Sequence, residues 1–391
     1  MLVITTIMVL LGLLGTDLHL PALPQMALEM HTSQAMMQSS ISLFLLGVGL
    51  SALVWGPLSD KYGRKPIVLA GLFIALLANL WAFTLSEIEP FLASRFVQGI
   101  GSGVCLSLSR VVLSDIVQGE RYAITSAYVT LFTALSVVLG PFIGGFIQTA
   151  WGWRANFLLM ALIFVLMLAL YAWQFPETNR YRNRNIGLKE TLSNYVFVMK
   201  NPRFVSGALL VGISMGCFVM YTSTSPFILQ RQLGMSAQDF GMMSGFVGTG
   251  LLLSRMMFPH LVKRHGMPRM MVSGLLILIV CGLLLLSLWA FDGLHTGSFL
   301  ASVSGVFFAY TFVGLCGSAV AMEPFTDKRG AAGAIFGFFQ MSLVFLINAV
   351  ASALPGSGLL LLGTSYLILP MAGLLLCRTI FAAKSVSTPT S

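Results

Sequence analysis

Charge is what this chain has least of. Only 9% of its 391 residues are Asp, Glu, Lys or Arg, against about 25% in soluble domains. Acids are the scarcer kind, 13 against 22 basic residues. Hydrophobic residues make up 57% of the chain, and mean hydropathy is +0.89. A soluble protein of this length could not bury that much apolar surface, whereas a bilayer covers it. Cysteine is also sparse. Cys105, Cys217, Cys281, Cys316 and Cys377 all fall in apolar stretches at no metal-ligand spacing. They read as packing residues rather than as a disulfide framework or a metal centre. GTGLLLSR, residues 248–255, lacks the Walker lysine, and no nucleophile elbow is present. ATP-driven pumping, enzymatic catalysis and a bound cofactor are therefore not expected. The first apolar run has no basic segment before it and contains Asp17, so it does not read as a cleaved signal peptide.

What is present is a series of long apolar runs. A helix crosses the hydrocarbon core with about 20 residues. On that scale twelve spans are expected, near 2–20, 38–58, 67–86, 90–112, 124–150, 155–175, 204–227, 237–259, 268–291, 297–322, 330–354 and 357–380. The basic residues set the orientation. With a cytoplasmic N-terminus, that side holds Lys61, Arg64, Lys65, Arg121, Arg180, Arg182, Arg184, Lys189, Lys200, Arg203, Lys263, Arg264, Arg269, Lys328, Arg329, Arg378 and Lys384. The other side holds only Arg154 and Arg231. Both termini are therefore expected in the cytoplasm. The net charge of +9 faces the anionic inner leaflet and calls for no nucleic-acid partner.

The longest polar stretch is PETNRYRNRNIGLKETLSNYVFVMKNPR, residues 176–203. It divides six spans from six. The expected domains are a bundle over 1–175, a cytoplasmic linker over 176–203 and a bundle over 204–391. The halves also share a basic turn. DKYGRKP follows the second span and VKRHGMPR, residues 262–269, follows the eighth. Aligning Gly63 with Gly266 puts Lys263 where the first copy has Asp60, so the second copy is degenerate.

Several short motifs carry chemistry. GTDLHLPALP, residues 15–24, holds Asp17, the one acid well inside a span. An ionised carboxylate at membrane depth costs about 2.5–3.5 kcal/mol on insertion scales, the setting a proton-binding group needs. Pro21 and Pro24 are expected to end the helix close by. His19 either shares a proton relay or sits at the membrane interface. SRFVQGIGSG, residues 94–103, places Arg95 and Gln98 one turn apart, and Gly99, Gly101 and Gly103 leave room for a close helix. Asp17 is a candidate partner for Arg95; the alternative is an arginine that snorkels outward. LGPFIGG, residues 139–145, combines Pro141 with Gly140, Gly144 and Gly145, which kinks and thins the fifth span. GPLSDKYGRKP, residues 56–66, gathers Gly56, Asp60, Lys61, Gly63, Arg64 and Lys65 between two spans. With Asp115 after the fourth span, this cluster can latch helix ends in one conformation. Positive-inside retention is the simpler role for its basic residues.

The last of these, a Gly–Asp–Gly–Arg–Lys turn between membrane helices, closely resembles the signature loop of the major facilitator superfamily. Arg-x-x-Gln-Gly-x-Gly in the fourth span is similar to that superfamily's proton-transfer motif. Gly-Pro-x-x-Gly-Gly in the fifth resembles the antiporter motif of drug:proton exporters. TDLHLPALP, YTSTSPFILQ (221–230) and AMEPF with GAAGAIFGFFQ (within 321–340) resemble the bicyclomycin-resistance (Bcr/CflA) branch. Two departures are His19, where that branch usually has Tyr, and Ser114, where an Arg commonly precedes the acid at Asp115.

The resemblance implies an all-α membrane protein with twelve transmembrane helices in two pseudo-symmetric six-helix bundles. It implies proton-coupled export of small organic compounds by alternating access across a bacterial inner membrane, by a monomer embedded in lipid. Asp17 and Arg95 would couple protons. Gly56, Asp60, Gly63, Arg64, Lys65 and Asp115 would form the latch, and Gly140, Pro141, Gly144 and Gly145 the antiporter motif. Tyr128, Tyr221, Ser225, Phe227 and Gln340 are the candidates for the substrate cavity. A dedicated exporter of a siderophore or another metabolite is the alternative, with a non-transporting sensor behind it.

Overall fold

The structure is a computed structural model and describes residues 2–179, 187–325, 328–354 and 358–385. Arg180, Arg182 and Arg184, counted above with the linker's charge, lie outside the described residues. Among the described residues every regular element is helical. In order these are α1 (Leu2–Asp17), α2 (Leu23–Glu29), α3 (Gln34–Tyr62), α4 (Arg64–Thr84), α5 (Ile88–Ile116), α6 (Gly119–Trp151) and α7 (Arg154–Gln174). Then follow α8 (Leu188–Met199), α9 (Pro202–Pro226), α10 (Ala237–Ala290), α11 (Thr296–Val303), α12 (Gly305–Met322), α13 (Arg329–Ala353) and α14 (Gly358–Ser385).

Eleven of the described segments are long and apolar enough to cross a membrane. One of them, α10, has 54 residues. At about 1.5 Å per residue that is more than twice the hydrocarbon thickness. It breaks at Gly266, whose φ of 77° is not helical. It therefore supplies two spans, which makes twelve among the described residues, each beginning and ending within several residues of its expected position except the first.

The first span differs from expectation. The helix α1 does end at Asp17, just before Pro21 and Pro24, but the span runs on to Glu29. After Asp17 the chain makes a 3-10 turn at Leu20–Ala22 and continues as α2 to Glu29. Each proline occupies the opening of a new helical turn, where its missing N–H costs nothing. The linker also contains a regular element. Its helix α8 buries Tyr195 and Val198 while Leu192, Val196 and Phe197 stay exposed.

The chain forms two compact units. One holds the residues up to Ser193 together with Leu229–Gly248; the other holds Asn194–Ile228 and everything from Thr249. In the first, α1 packs on α5, α6 and α7, and α5 packs on α3 and α4. In the second, α9 packs on α12, α13 and α14. The first, fourth, fifth and sixth spans thus repeat as the seventh, tenth, eleventh and twelfth. Small residues make the contacts close. A Cβ on Gly99 would strike the Phe44 carbonyl of α3, and one on Gly101 would sit 2.8 Å from the Cα of Ala75 on α4. Substituting either would force the helices apart.

Candidate functional site

Asp17 ends α1 and is buried, with 8% of its surface exposed. Among the described residues it has no ion pair or hydrogen bond. Arg95, on α5, is wholly buried rather than snorkelling. It does not pair with Asp17. Its Nη2 donates to the carbonyl of Gly15 at 3.0 Å and its Nη1 to Oε1 of Gln98. Gln98 in turn donates to Asn79 Oδ1 at 2.7 Å, and Asn79 donates to the Ala75 carbonyl at 2.7 Å. The guanidinium carbon also lies 4.6 Å from the Phe44 ring centre, a favourable placement for a cation. Amide dipoles and an aromatic face thus offset the cost of burying Arg95, and the acid is left without a counter-charge. His19 is interior too, 2% exposed, with its ring 5.8 Å from that of Phe157.

The glycines of α6 bring that helix onto the acid. A Cβ on Gly140 would lie 2.5 Å from the Cβ of Asp17, and one on Gly144 would collide with the Leu18 carbonyl. Gly145 faces the other way, where a Cβ would meet the Ala237 carbonyl at 2.6 Å. The Pro141 carbonyl abuts Gly241 across the same contact. The motif is therefore a two-sided notch. One side seats the Asp17–Leu18 backbone and the other seats the first turns of α10. Nearby, Gln230 Nε2 donates to the Pro21 carbonyl at 2.8 Å and Arg231 Nη2 to the Pro24 carbonyl at 2.9 Å.

At the opposite end of the same helices, Arg64 gathers the charged groups of the loop motif. Its Nη1 donates to Asp60 Oδ1 at 2.5 Å and to Ser59 Oγ at 2.6 Å, and its Nε donates to Asp115 Oδ2 at 3.1 Å. Gly63, at φ 107° and ψ 159°, separates α3 from α4. This region of backbone space is essentially restricted to glycine. Lys65 Nζ donates to the Ala172 carbonyl at 2.7 Å. A Cβ on Gly56 would touch nothing within 4 Å, so that glycine is not needed for a close contact here. Ser114 is exposed and bonds back to the Val111 carbonyl of its own helix at 2.7 Å.

The sequence reading missed Glu177 and Asn179. Glu177 accepts from the backbone N–H groups of Arg64 and Lys65 at 2.8 and 3.2 Å. It caps α4 with a negative charge at the positive end of the helix dipole. Asn179 donates to the carbonyls of Ser59 and Asp60, both at 3.2 Å. More than a hundred residues separate these partners, so no local pattern links them. The only signal was an acid immediately after the sixth span.

The five cavity candidates are divided between the two units. Tyr128, in the first unit, is 61% exposed. Tyr221, Ser225 and Phe227 are buried in the second unit. Tyr221 packs against Phe307 and Phe299, at ring separations of 5.7 and 6.4 Å. Gln340 is half-buried and bonds to Met215 Sδ at 2.8 Å.

Residues 5–352 match the sequence profile of the Major Facilitator Superfamily. The chain belongs to that superfamily. It is 25% identical over 376 residues to Multidrug resistance protein D of Escherichia coli, which covers 96% of this chain and 93% of the relative. It is 24% identical over 346 residues to a bicyclomycin resistance protein homolog of Haemophilus influenzae, over 88% and 85% of the two chains. Its fold is similar to that of a D-xylose-proton symporter, with a TM-score of 0.76 over 96% of each chain at 16% identity. The protein is thus a multi-pass membrane transporter, not an enzyme, and its substrates are small molecules.

Proposed function

We propose that the protein exports small organic compounds of the drug and antibiotic class across a bacterial inner membrane, in exchange for protons. One observation carries this reading: the Gly-Pro-x-x-Gly-Gly notch of α6 is built directly onto Asp17, the unpaired intramembrane acid. An export motif and a proton-binding group then belong to one site. The resistance proteins among its relatives support the same reading.

In this scheme the bundles over 1–175 and 204–391 work as a monomer around the linker 176–203, with both termini cytoplasmic. Asp17 binds a proton from the outside and yields it inside. Substrate and proton compete, because Arg95 supplies no fixed counter-charge to the carboxylate. Each net charge that moves draws about 2.3 kcal/mol from 100 mV of membrane potential. The Asp60–Arg64–Asp115 cluster, with Glu177 and Asn179, holds one conformation closed at its cytoplasmic end. Tyr128, Tyr221, Ser225, Phe227 and Gln340 are proposed to meet substrate during the cycle.

Asp17→Asn is the test. The amide keeps the shape of the protonated acid. The variant should express and fold, yet lose efflux driven by a pH gradient. In detergent, substrate should release protons from the wild type and not from the variant. Equal release from both would remove Asp17 from the coupling and direct attention to His19 or Glu323.

A further inference from the structure

A small void lies inside the first unit, between α1, α5 and α7. Its wall includes Gly15, His19, Gln98, Asn156 and Phe157, and it has room for about one water molecule. The wall contains polar atoms without a hydrogen-bond partner in the protein: His19 Nε2, Asn156 Nδ2 and Asn156 Oδ1. Both residues are almost fully buried, at 2% and 1% exposure. A buried polar atom left without a hydrogen bond is destabilising, so three on residues that line one void call for a ligand. Water is the smallest ligand that can satisfy both donors and acceptors. The Arg95 guanidinium, bonded to Gly15 and Gln98 in the same wall, opposes a cation.

We propose that this void is a binding site for one ordered water molecule, held by Asn156 and His19, through which protons reach the Asp17 end of α1. Asn156 is the positioning residue. It offers one donor and one acceptor, and His19 Nε2 provides a third point of attachment. Buried waters make about three such bonds. His19 stands two residues from Asp17 in the chain. The water gives that turn, where Asp17 has no hydrogen bond among the described residues, a neighbour that can take up a proton and pass it on. The functional half of this proposal rests on proton coupling at Asp17; the water site itself does not.

Two measurements on the purified full chain test it. The first is infrared spectroscopy in ordinary and ¹⁸O-labelled water. The wild type should show an ¹⁸O-sensitive O–H band of an isolated, strongly bonded water. Asn156→Val should lose the band, and Asn156→Ser, which keeps a small polar group, should retain one. An unchanged band in Asn156→Val overturns the site. The second is proton uptake after a pH jump, followed with pyranine and needing no substrate. The uptake that Asp17→Asn abolishes should slow roughly tenfold in Asn156→Val and be rescued in Asn156→Ser. Loss of the band with unchanged uptake overturns the role in proton access. If Asp17→Asn itself takes up protons like the wild type, the coupling scheme and the proton-access role fall together, while the infrared result still decides the water site.

Discussion

The basic turn after α3 and its counterpart inside α10 share a backbone and differ in chemistry. Gly63 sits at φ 107°, ψ 159° and Gly266 at φ 77°, ψ 157°. Both occupy the region that only glycine enters readily, so both turns redirect the chain in the same way. Around Gly63 the side chains converge. Arg64 is 8% exposed and binds two carboxylates and a hydroxyl. Around Gly266, Lys263, Arg264, His265 and Arg269 are exposed, and none has an ion pair among the described residues. Lys263 stands where Asp60 would be, which removes the near acceptor. Two features that look like one motif thus separate into a hinge, present in both halves, and an ion cluster, present in one.

Removing the cluster should have the largest effect. Arg64→Ala strips the acceptors Asp60, Ser59 and Asp115 of their donor. Charged hydrogen bonds contribute about 1.5–3 kcal/mol each, and less where a carboxylate is open to water, as Asp60 is at 44%. Efflux should fall roughly tenfold, with a lower melting temperature in detergent, while insertion is retained. Normal efflux from Arg64→Ala would reduce the cluster to a topology signal.

The hinge should respond equally in both halves. Gly63→Ala and Gly266→Ala each place a Cβ in a strained conformation that costs on the order of 1–3 kcal/mol. Thermal melts of the two variants should shift by similar amounts. A large shift at Gly63 alone would show that the cluster, rather than the backbone, carries the strain.

The smallest effect is expected at Arg264. It is exposed and has none of the contacts of Arg64. Arg264→Ala should leave both the melting temperature and efflux close to wild type. Loss of transport comparable to that of Arg64→Ala would mean that the second turn is a latch as well, formed in a conformation other than this one.

Much of the fold was legible because a bilayer imposes a strict rule. Every span must be long, apolar and internally hydrogen-bonded, and composition alone reports that. The glycines of α5 and α6 were legible as close-packing sites for the same reason. The site was legible only in part. Asp17 and Arg95 stood out as charges in apolar runs, and their spacing along the chain left open whether they meet. Glu177 and Asn179 gave no comparable sign, because a cap donated from a hundred residues away has no periodicity.

The sequence by itself determined the number of spans, the basic turns and the identity of the few buried charges, since each follows from local composition and chain chemistry. The tertiary structure decided what those charges touch. It turned Arg95 toward Gly15 and Gln98 rather than Asp17, laid Gly140 against the acid, and brought Glu177 to the first turn of α4. Contacts of that kind depend on which helix faces pack together. That outcome belongs to the whole set of close-packed surfaces, not to any one segment.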